Sequence, residues 1–353
     1  MSKERRKLAF RDGLLEWNRV SNCRNMPWKG EKNPYLIWLS EIILQQTRVE
    51  QGLEYYNKFA RTFPTIFDLA KAEDQKVLKL WEGLGYYSRC RNLLITARYI
   101  AFELGGIFPD SYEGLLKLKG IGPYTAAAIA SFAYSLPHAV LDGNVYRILS
   151  RYFAIDTPVN DKTNKKFSVL SNKLLCRQDP AVYNQAIMDF GATVCTPKSP
   201  ACINCPLQQG CTAYKRNEVL KFPVKVNKMK KRKRYFNYMV IESGSGILIR
   251  RREQKDIWEG LHEPVLIESE ERNLSSSELA EHFPLYGKAQ KVINEKTVKQ
   301  QLSHQEIFSR FFHFRLDESL QVPGYAVVAP ESMRELAFPL SIRNYLSSVN
   351  LQL

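Results

Sequence analysis

Two acidic residues of the sequence have neighbours that suit them to acid–base chemistry. Glu41 lies in the apolar stretch YLIWLSEIILQ, with Trp38 one helical turn before it and Leu44 one turn after it. A carboxyl group among apolar neighbours loses solvation, which raises its pKa and favours a proton donor near neutral pH. Asp142 lies in the segment LDGNVYR, at the start of a predicted helix. Plain structural roles remain open, because Asp142 can cap that helix and Glu41 can be an exposed glutamate beside a core stripe.

Four of the seven cysteines form a second candidate site. Cys195, Cys202, Cys205 and Cys211 are separated by six, two and five residues. Four thiolates in so short a segment can enclose one metal centre, and both zinc and a [4Fe–4S] cluster accept four cysteines. The spacing alone does not decide between them. The other three cysteines show no ligand spacing.

Two glycine-containing segments have the composition of nucleic-acid contacts. Gly120-Ile121-Gly122 predicts a tight hairpin between a short helix and a helix from Pro123 to about Ser135, and its exposed amides suit a phosphate oxygen. Residues 81–91 (WEGLGYYSRCR) combine two glycines, two tyrosines and two arginines. They suit a loop that wedges a ring beside bases while cations hold phosphates, although core packing is the alternative for one of the tyrosines.

The charge distribution indicates a polyanionic partner. The 353 residues carry a net charge of +15; residues 1–234 contain 38 Lys and Arg against 20 Asp and Glu, whereas residues 235–353 contain 13 against 16. The basic excess belongs to the first part of the chain, which favours nucleic acid over a cationic surface kept for solubility. No apolar run reaches the ~18 residues of a membrane span and the N-terminus lacks an apolar signal core, so we expect a cytoplasmic protein without a membrane partner.

The elements that must position these residues fall into two regions. Helical patterns cover residues 8–22, the stretch from about 35 to 60, 66–72, 77–80, 163–176 and 180–192, and a further helix starts at Asn144. Residues 221–234 (KFPVKVNKMKKRKR) form a basic linker that either lies on a phosphate backbone or is a plain tether. Strand patterns follow at 235–242, 246–252, 306–316 and 325–330, with a helix that Ser275–Ser277 can cap and a last helix at 340–349. A multi-domain chain is therefore predicted, with a mainly α region followed by a smaller α+β domain.

Four motifs occur in the order found in one protein family. WLSEIILQQTRVE, WEGLGYYSRCRNL, the helix-hairpin-helix with LDGNVYR, and the four-cysteine segment together resemble the adenine DNA glycosylases of the MutY family over residues 8–215. The resemblance implies a helix-hairpin-helix DNA glycosylase domain over residues 1–220, with the hairpin at about 115–136. It resolves the metal question toward one [4Fe–4S] cluster per chain, at 195–211. Residues 235–353 resemble, more loosely, the family's Nudix-like 8-oxoguanine recognition domain.

The resemblance assigns roles to individual residues of this chain. It makes Glu41 and Asp142 the catalytic carboxylates, with Tyr124 and Asn144 beside them. The adenine pocket is assigned to Met26, Trp28 and Gln185. Contacts with DNA or the lesion are assigned to Gln46, Tyr86, Gly120, Gly122, Leu302, Ser303 and His304. The cluster ligands are assigned to Cys195, Cys202, Cys205 and Cys211.

The sequence departs from the family pattern at several positions. Leu302 stands where the family usually has phenylalanine, Lys29 stands where arginine is common near the adenine, and residues 258–264 (WEGLHEP) lack the usual aromatic-rich form. No acidic helix of the kind that holds magnesium in Nudix hydrolases is evident in residues 235–353, so pyrophosphate hydrolysis is not expected. Tyr124 stands where endonuclease III-like enzymes carry a lysine nucleophile, and the nearby Lys119 falls on the hairpin side.

The predicted function follows from these assignments. The protein is expected to act as a monomer on double-stranded DNA with 8-oxoguanine:A or G:A mispairs, to flip out the adenine and to hydrolyse its N-glycosidic bond, which leaves an abasic site. A phenol at position 124 cannot form a Schiff base, so strand cleavage should be weak or absent. The alternatives are a bifunctional endonuclease III-like glycosylase/lyase and a non-catalytic iron–sulfur DNA-binding protein.

Overall fold

Helices make up the chain as far as about residue 221, and a sheet with flanking helices follows. The computed structural model describes residues 2–224, 231–243, 246–253, 255–283, 292–316 and 322–351. No described helix is long and apolar enough to cross a bilayer.

Contacts divide the chain into two compact units. The first comprises Met1–Lys71 and Asn92–Asn227, and the second comprises Ala72–Arg91 and Lys228–Leu353. This division differs from the contiguous domains expected from the sequence. By contacts, residues 72–91 group with the C-terminal part of the chain, because their side chains bond to it, and the domain bounds expected from the sequence stay a prediction.

Every helix predicted for the first part of the chain is present. In order, the helices are α1 (Lys3–Val20), α2 (Pro34–Leu44), α3 (Val49–Thr62), α4 (Ile66–Lys71), α5 (Asp74–Trp81), α6 (Ser88–Arg98), α7 (Tyr112–Leu116), α8 (Pro123–Tyr134), α9 (Gly143–Phe153), α10 (Asp161–Leu174), α11 (Pro180–Thr193) and α12 (Thr212–Lys215). A π-helical turn, Tyr99–Glu103, continues α6. Short 3₁₀ turns cover Gln208–Gly210 and Val219–Lys221.

Local signals in the sequence explain where the helices around the site begin. The Asn33 side chain accepts a hydrogen bond from the Tyr35 amide (2.9 Å), and Pro34 takes the first turn of α2. At the start of α11, the Asp179 side chain accepts from the Val182 amide (3.3 Å), and Pro180 takes the first turn. The helix expected from about 35 to 60 is interrupted between α2 and α3, where Gln46 adopts a left-handed φ of 57°. This bend ends α2 shortly after Glu41.

The first unit is built around a core shared by α1, α9, α10 and α11. Phe10, Leu149 and Phe190 belong to one buried cluster, and the Trp17 and Phe190 rings meet edge to face with centroids 5.0 Å apart. Helix α2 packs against both α3 and α8. These packings bring the middle of α2 to the N-terminal end of α8.

A mixed six-stranded sheet forms the body of the second unit in the described residues. Its strands are β1 (Arg232–Ser243), β2 (Gly246–Arg251), β3 (His262–Ser269), β4 (Val292–Gln301), β5 (Gln305–Leu316) and β6 (Ala326–Val328), in the order β4-β5-β1-β3-β2-β6. Strands β1 and β5 are parallel, in register from Arg232 with Gln305 to Ser243 with Leu316, and the other neighbours are antiparallel. The helices are α13 (Ser276–His282), α14 (Pro330–Met333) and α15 (Leu340–Ser348).

Aromatic stacking joins α15 to the sheet. The Phe311 ring lies between Tyr238, at 5.2 Å, and Tyr345 of α15, at 4.3 Å. A second cluster that includes Met239 and Leu279 packs α13 on the sheet. The predicted cap of that helix is confirmed, because Ser275 and Glu278 form a reciprocal capping box.

The predicted basic linker needs one correction. The linker was expected to extend to residue 234, but β1 begins at Arg232, and Arg234 is 6% exposed. Its guanidinium pairs with Asp256 (2.7 Å) and Glu268 (2.6 Å), so this residue belongs to the folded sheet and is not free to lie on a phosphate backbone. Residues 225–230 of the predicted linker lie outside the described residues.

Candidate active site

Glu41 occupies a buried position in the middle of α2. The residue is 7% exposed and lies among buried neighbours that include Ile37, Trp38 and Ile42. Burial raises the pKa of Glu41 to about 7; a hydrogen bond from Tyr124 opposes the rise, and the charge of Asp142 adds to it. A carboxyl group with such a pKa is protonated about half the time at pH 7, whereas an ordinary glutamate is almost wholly ionised. The geometry therefore provides a proton donor at neutral pH.

Asp142 is both the cap of α9 and a neighbour of Glu41. Its Oδ1 accepts from the Val145 amide (2.8 Å), and its Oδ2 accepts from the Asn144 side-chain amide (2.7 Å). Burial raises the pKa of Asp142, and the hydrogen bonds from Val145 and Asn144 oppose that rise. Asp142 thus caps α9 and also lies beside Glu41, so the cap does not exclude a role in the site. Asp142 receives two hydrogen-bond donors that favour its ionised form, whereas Glu41 receives one.

Tyr124 brings the two carboxyl groups into one cluster. It lies in the first turn of α8, its hydroxyl bonds to the Glu41 carboxyl group, and its oxygen lies 3.3 Å from the Met188 sulfur. Burial raises the pKa of Tyr124 well above its ordinary value, and the charges of Glu41 and Asp142 add to this. Glu41 is buried while Asp142 and Tyr124 are partly exposed, so the cluster opens to solvent on one side.

Arg147 fixes the orientation of Asn144, a function that sequence analysis did not assign to it. One of its terminal nitrogens donates to Asn144 Oδ1 (2.7 Å) and to the Gly191 carbonyl (2.7 Å), and its Nε donates to the Cys195 carbonyl (2.8 Å). Because Oδ1 of Asn144 faces the guanidinium, its Nδ2 faces Asp142. The helical spacing of three residues between Asn144 and Arg147 was the available signal.

The expected adenine-pocket residues lie on two segments of the first unit. The Trp28 ring meets Tyr56 edge to face at 5.2 Å. Met26 is partly buried, and its carbonyl accepts from the Lys29 amide (2.9 Å), which closes a turn. Gln185 lies on α11. The assignment of these residues to an adenine pocket stays a prediction.

Asp189 links those two segments and was missed by the sequence reasoning. Its side chain is fully buried and accepts from Gln185 Nε2 (3.0 Å), Arg24 (2.8 Å) and Lys29 Nζ (3.2 Å). Two cations neutralise the buried carboxylate, which makes its burial tolerable. Lys29, predicted to face the adenine, is thus engaged by an internal partner.

The hairpin glycines differ in what the backbone requires of them. Gly120 has a φ of +79°, and a Cβ atom there would meet the Cβ of Asn92 at 2.8 Å, so glycine is needed both for conformation and for space. Gly122 caps α8 in an extended conformation with open space around it. Lys119 is exposed on the hairpin, and its carbonyl accepts from the Thr96 hydroxyl (2.7 Å).

The predicted lesion contacts Tyr86 and Ser303 meet within the second unit. The Tyr86 hydroxyl lies 2.7 Å from Ser303 Oγ, although 217 positions separate the residues in the sequence. Tyr86 is 45% exposed and adopts a left-handed φ of 49°. Ser303 and His304 are exposed in the turn between β4 and β5, where Leu302 is partly buried. Gln46 is an exposed residue of the first unit.

The four cysteines of the candidate metal segment surround one pocket. Cys195, Cys202, Cys205 and Cys211 all line it, together with Arg151. No group of three or more His, Cys, Asp or Glu among the described residues is placed to hold a metal ion. A shared pocket lined by four thiols nevertheless provides the donor set that an iron–sulfur cluster needs.

Arg151 organises the loop around that pocket. It is 2% exposed, and its guanidinium donates to the Thr196 carbonyl (2.7 Å), the Pro197 carbonyl (2.9 Å) and the Cys195 sulfur (3.4 Å). These bonds tie the segment that carries Cys195 to α9. Arg151 follows Arg147 by one turn of α9, so one helix contacts both the carboxylate cluster and the cysteine pocket.

The chain is similar to known proteins in both sequence and fold. Residues 39–173 match the HhH-GPD superfamily of base excision DNA repair proteins, and residues 237–348 match the NUDIX domain. The chain is 38% identical over 261 residues to an adenine DNA glycosylase of Buchnera aphidicola, which covers 72% of each chain. It is 42% identical over 218 residues to the mouse adenine DNA glycosylase, which covers 59% of this chain and 42% of the mouse protein.

A solved structure of a thermostable thymine-DNA glycosylase aligns over 61% of this chain and all of its own, with a TM-score of 0.57 and 26% identity. A structure of a non-covalent endonuclease III–DNA complex, 19% identical with a TM-score of 0.54, shares the fold. The chain is more similar in sequence to the adenine DNA glycosylases than to these two proteins of known structure, and this higher identity decides its family. The chain therefore belongs to the adenine DNA glycosylase family.

Proposed function

We propose that this adenine glycosylase of base excision repair acts on adenine paired with 8-oxoguanine or guanine in double-stranded DNA, as a monomer, and leaves an abasic site without cutting the strand. The observation that carries the proposal is the cluster of Glu41, Tyr124 and Asp142, in which two carboxyl groups have different surroundings. One is held near its protonation midpoint at neutral pH and the other receives donors that favour its charge. Such a division of protonation states is what an acid and an electrostatic partner require.

Glu41 is assigned the role of proton donor. Adenine is a poor leaving group until one of its ring nitrogens is protonated, and a base stacked in a duplex is out of reach. The enzyme must flip the nucleotide out, at a cost of a few kcal/mol that is lower for a mispair. Glu41, with a pKa of about 7, then donates to adenine N7.

Asp142 is assigned to the sugar. Positive charge builds on the deoxyribose as the glycosidic bond breaks, and the ionised carboxylate balances it either electrostatically or through a transient covalent bond. Asn144 and the Val145 amide hold Asp142 in place and keep its charge. Water then attacks C1′, which completes the hydrolysis.

The four-cysteine pocket is assigned to a [4Fe–4S] cluster with Cys195, Cys202, Cys205 and Cys211 as ligands. When bound, such a cluster supplies a rigid cross-link within the segment. Arg151 holds the surrounding loop through backbone carbonyls of Thr196 and Pro197. The acid–base chemistry proposed for Glu41 and Asp142 uses no group of this pocket.

The lesion-reading role is assigned to Tyr86 and the Ser303 turn, and the phosphate contacts to the Gly120 hairpin. The hydroxyls of Tyr86 and Ser303 are close and partly exposed, so both can reach one base. The basic excess of residues 1–234 supports duplex DNA as the partner.

One assay tests this function and separates it from a lyase. Duplexes with 8-oxoguanine:A, G:A and T:A pairs are incubated with excess protein, and free adenine and strand breaks are measured before and after alkali. We expect adenine release from the first two, fastest from 8-oxoguanine:A, and strand breaks only after alkali. Breaks without alkali, together with an adduct trapped by borohydride, would establish a lyase instead.

A further inference from the structure

Glu82 is a buried carboxylate that the chemistry at Glu41 and Asp142 does not use. It follows α5 directly, is 8% exposed, and immediately precedes the glycine-containing loop that leads to Tyr86. Its Oε1 accepts from the Phe338 amide at 2.8 Å. Its Oε2 lies 3.3 Å from Lys79 Nζ and 3.5 Å from a terminal nitrogen of Arg343. Of the three groups, two come from the C-terminal part of the chain, so Glu82 joins distant segments of the second unit.

Further contacts hold the same segment on the C-terminal fold. Lys79 Nζ also donates to the Leu336 carbonyl at 2.9 Å. Beyond the loop, Arg91 pairs with the Glu259 carboxylate at 3.0 Å and donates to its carbonyl at 2.8 Å. The segment from Lys79 to Arg91 is therefore attached to the C-terminal fold on both sides of Tyr86.

The loop between these attachments has an unusual backbone conformation. Gly83 and Gly85 have φ values of +98° and +71°, and Tyr86 follows with a left-handed φ, so three of four consecutive positions use a conformation that is rare outside glycine. Within the loop, the Trp81 ring nitrogen donates to the Gly85 carbonyl (3.0 Å), and Arg89 lies over the Trp81 and Tyr86 rings. At its outer end Tyr86 meets Ser303.

We infer that Glu82 is a positioning residue for lesion selection: it fixes the start of the Tyr86 loop to the C-terminal fold, so that the Tyr86 ring and the Ser303 hydroxyl form one reading surface. The inference rests on the proposed reading of 8-oxoguanine. The inference assigns a role to Glu82, which lies outside that surface, and it makes the Tyr86 loop a part of the lesion-recognition surface. Loss of the carboxylate releases the loop and separates Tyr86 from Ser303.

The test compares Glu82→Ala with a matched control, Glu73→Ala, which removes an exposed glutamate at the opposite end of α5 from Glu82. Adenine release from 8-oxoguanine:A and G:A is measured under single-turnover conditions at saturating protein. We expect Glu82→Ala to reduce the ratio of the two rates about 5- to 20-fold and Glu73→Ala to leave it unchanged. Glu82→Gln keeps an acceptor for the Phe338 amide and should retain most of the ratio.

Two further measurements exclude a merely structural effect. In the Glu82→Ala, Ser303→Ala double variant, the ratio should fall by less than the product of the single effects, because both changes disrupt one surface. Amide hydrogen exchange of residues 83–87 without DNA should accelerate in Glu82→Ala only.

The inference is overturned if the two single reductions of the rate ratio multiply in the double variant, or if the hydrogen exchange is unchanged. A wild-type protein with equal rates on both mispairs overturns the proposed reading as well, whereas a wild-type preference that survives in Glu82→Ala overturns this inference alone.

Discussion

At the scale of single residues, the proposed chemistry rests on two carboxyl groups that have different neighbours. Glu41 is surrounded by the apolar side chains of α2 and receives one hydroxyl, whereas Asp142 receives a backbone amide and the Asn144 side chain. The difference decides which group keeps its proton near pH 7. The effect of these neighbours on the pKa of each carboxyl group can therefore be tested through the pH dependence of the rate.

Tyr124→Phe should shift the alkaline limb of the pH–rate profile to higher pH. The hydroxyl lowers the pKa of Glu41 by hydrogen bonding to its ionised form, so its removal raises that pKa and keeps the proton donor loaded further into the alkaline range. One hydrogen bond corresponds to a shift of roughly half to one pH unit. Single-turnover rates between pH 5 and 9 measure it.

Tyr134→Phe is the matched control, because its hydroxyl donates to the Phe108 carbonyl in the same unit. Its profile should coincide with that of the wild-type protein. A limb that stays in place or moves to lower pH in Tyr124→Phe would remove Glu41 from the role of proton donor.

At the scale of elements, the sequence predicted those with strong local signals. The helices around Asp142 and Glu41 have caps and an apolar face, and they begin close to the predicted positions, although α2 ends at Leu44 and not at about residue 60. Strand β3 was not predicted, because its run PVLI is central in the sheet and shows no alternation. Strand β4 was not predicted either, because it is an edge strand with a mostly polar sequence.

Ser303→Ala tests the turn between β4 and β5 as the reading element. We expect the preference for 8-oxoguanine:A over G:A to fall about 5- to 30-fold, the value of one to two kcal/mol for a lost hydrogen bond. Addition of His304→Ala should reduce it further. Ser347→Ala, at an exposed position of α15, serves as the control. An unchanged preference in the double variant would mean that this turn does not read the lesion.

At the scale of the whole molecule, long-range polar contacts are what the sequence could not reveal. Asp189 pairs with Arg24 across 165 positions, and Glu82 bonds to Phe338 across 256. Neither pair leaves a periodic pattern, so neither was predicted. The grouping of residues 72–91 with the C-terminal fold was missed for the same reason. The four cysteines, in contrast, are close in sequence and line one pocket, and the cluster predicted for them stays a proposal.

Cys202→Ala tests the proposed cluster in the intact protein. Loss of one of four thiolates should lower the iron content per chain and the visible charge-transfer absorbance, and it should lower the thermal midpoint of unfolding. Cys23→Ala, which removes an exposed cysteine outside the segment, should leave all three unchanged. Wild-type protein that contains zinc and has no visible absorbance would show that the metal was assigned wrongly.

The most direct test of the whole account is adenine release by Asp142→Asn. Asparagine caps helices as well as aspartate does, so α9 should form and the affinity for an 8-oxoguanine:A duplex should be kept. The charge that faces the sugar is lost, and we expect the single-turnover rate of adenine release to fall about a thousandfold or more. A rate within a few-fold of the wild-type rate, with binding unchanged, would contradict the claim that Asp142 and Glu41 act together on one adenine nucleotide.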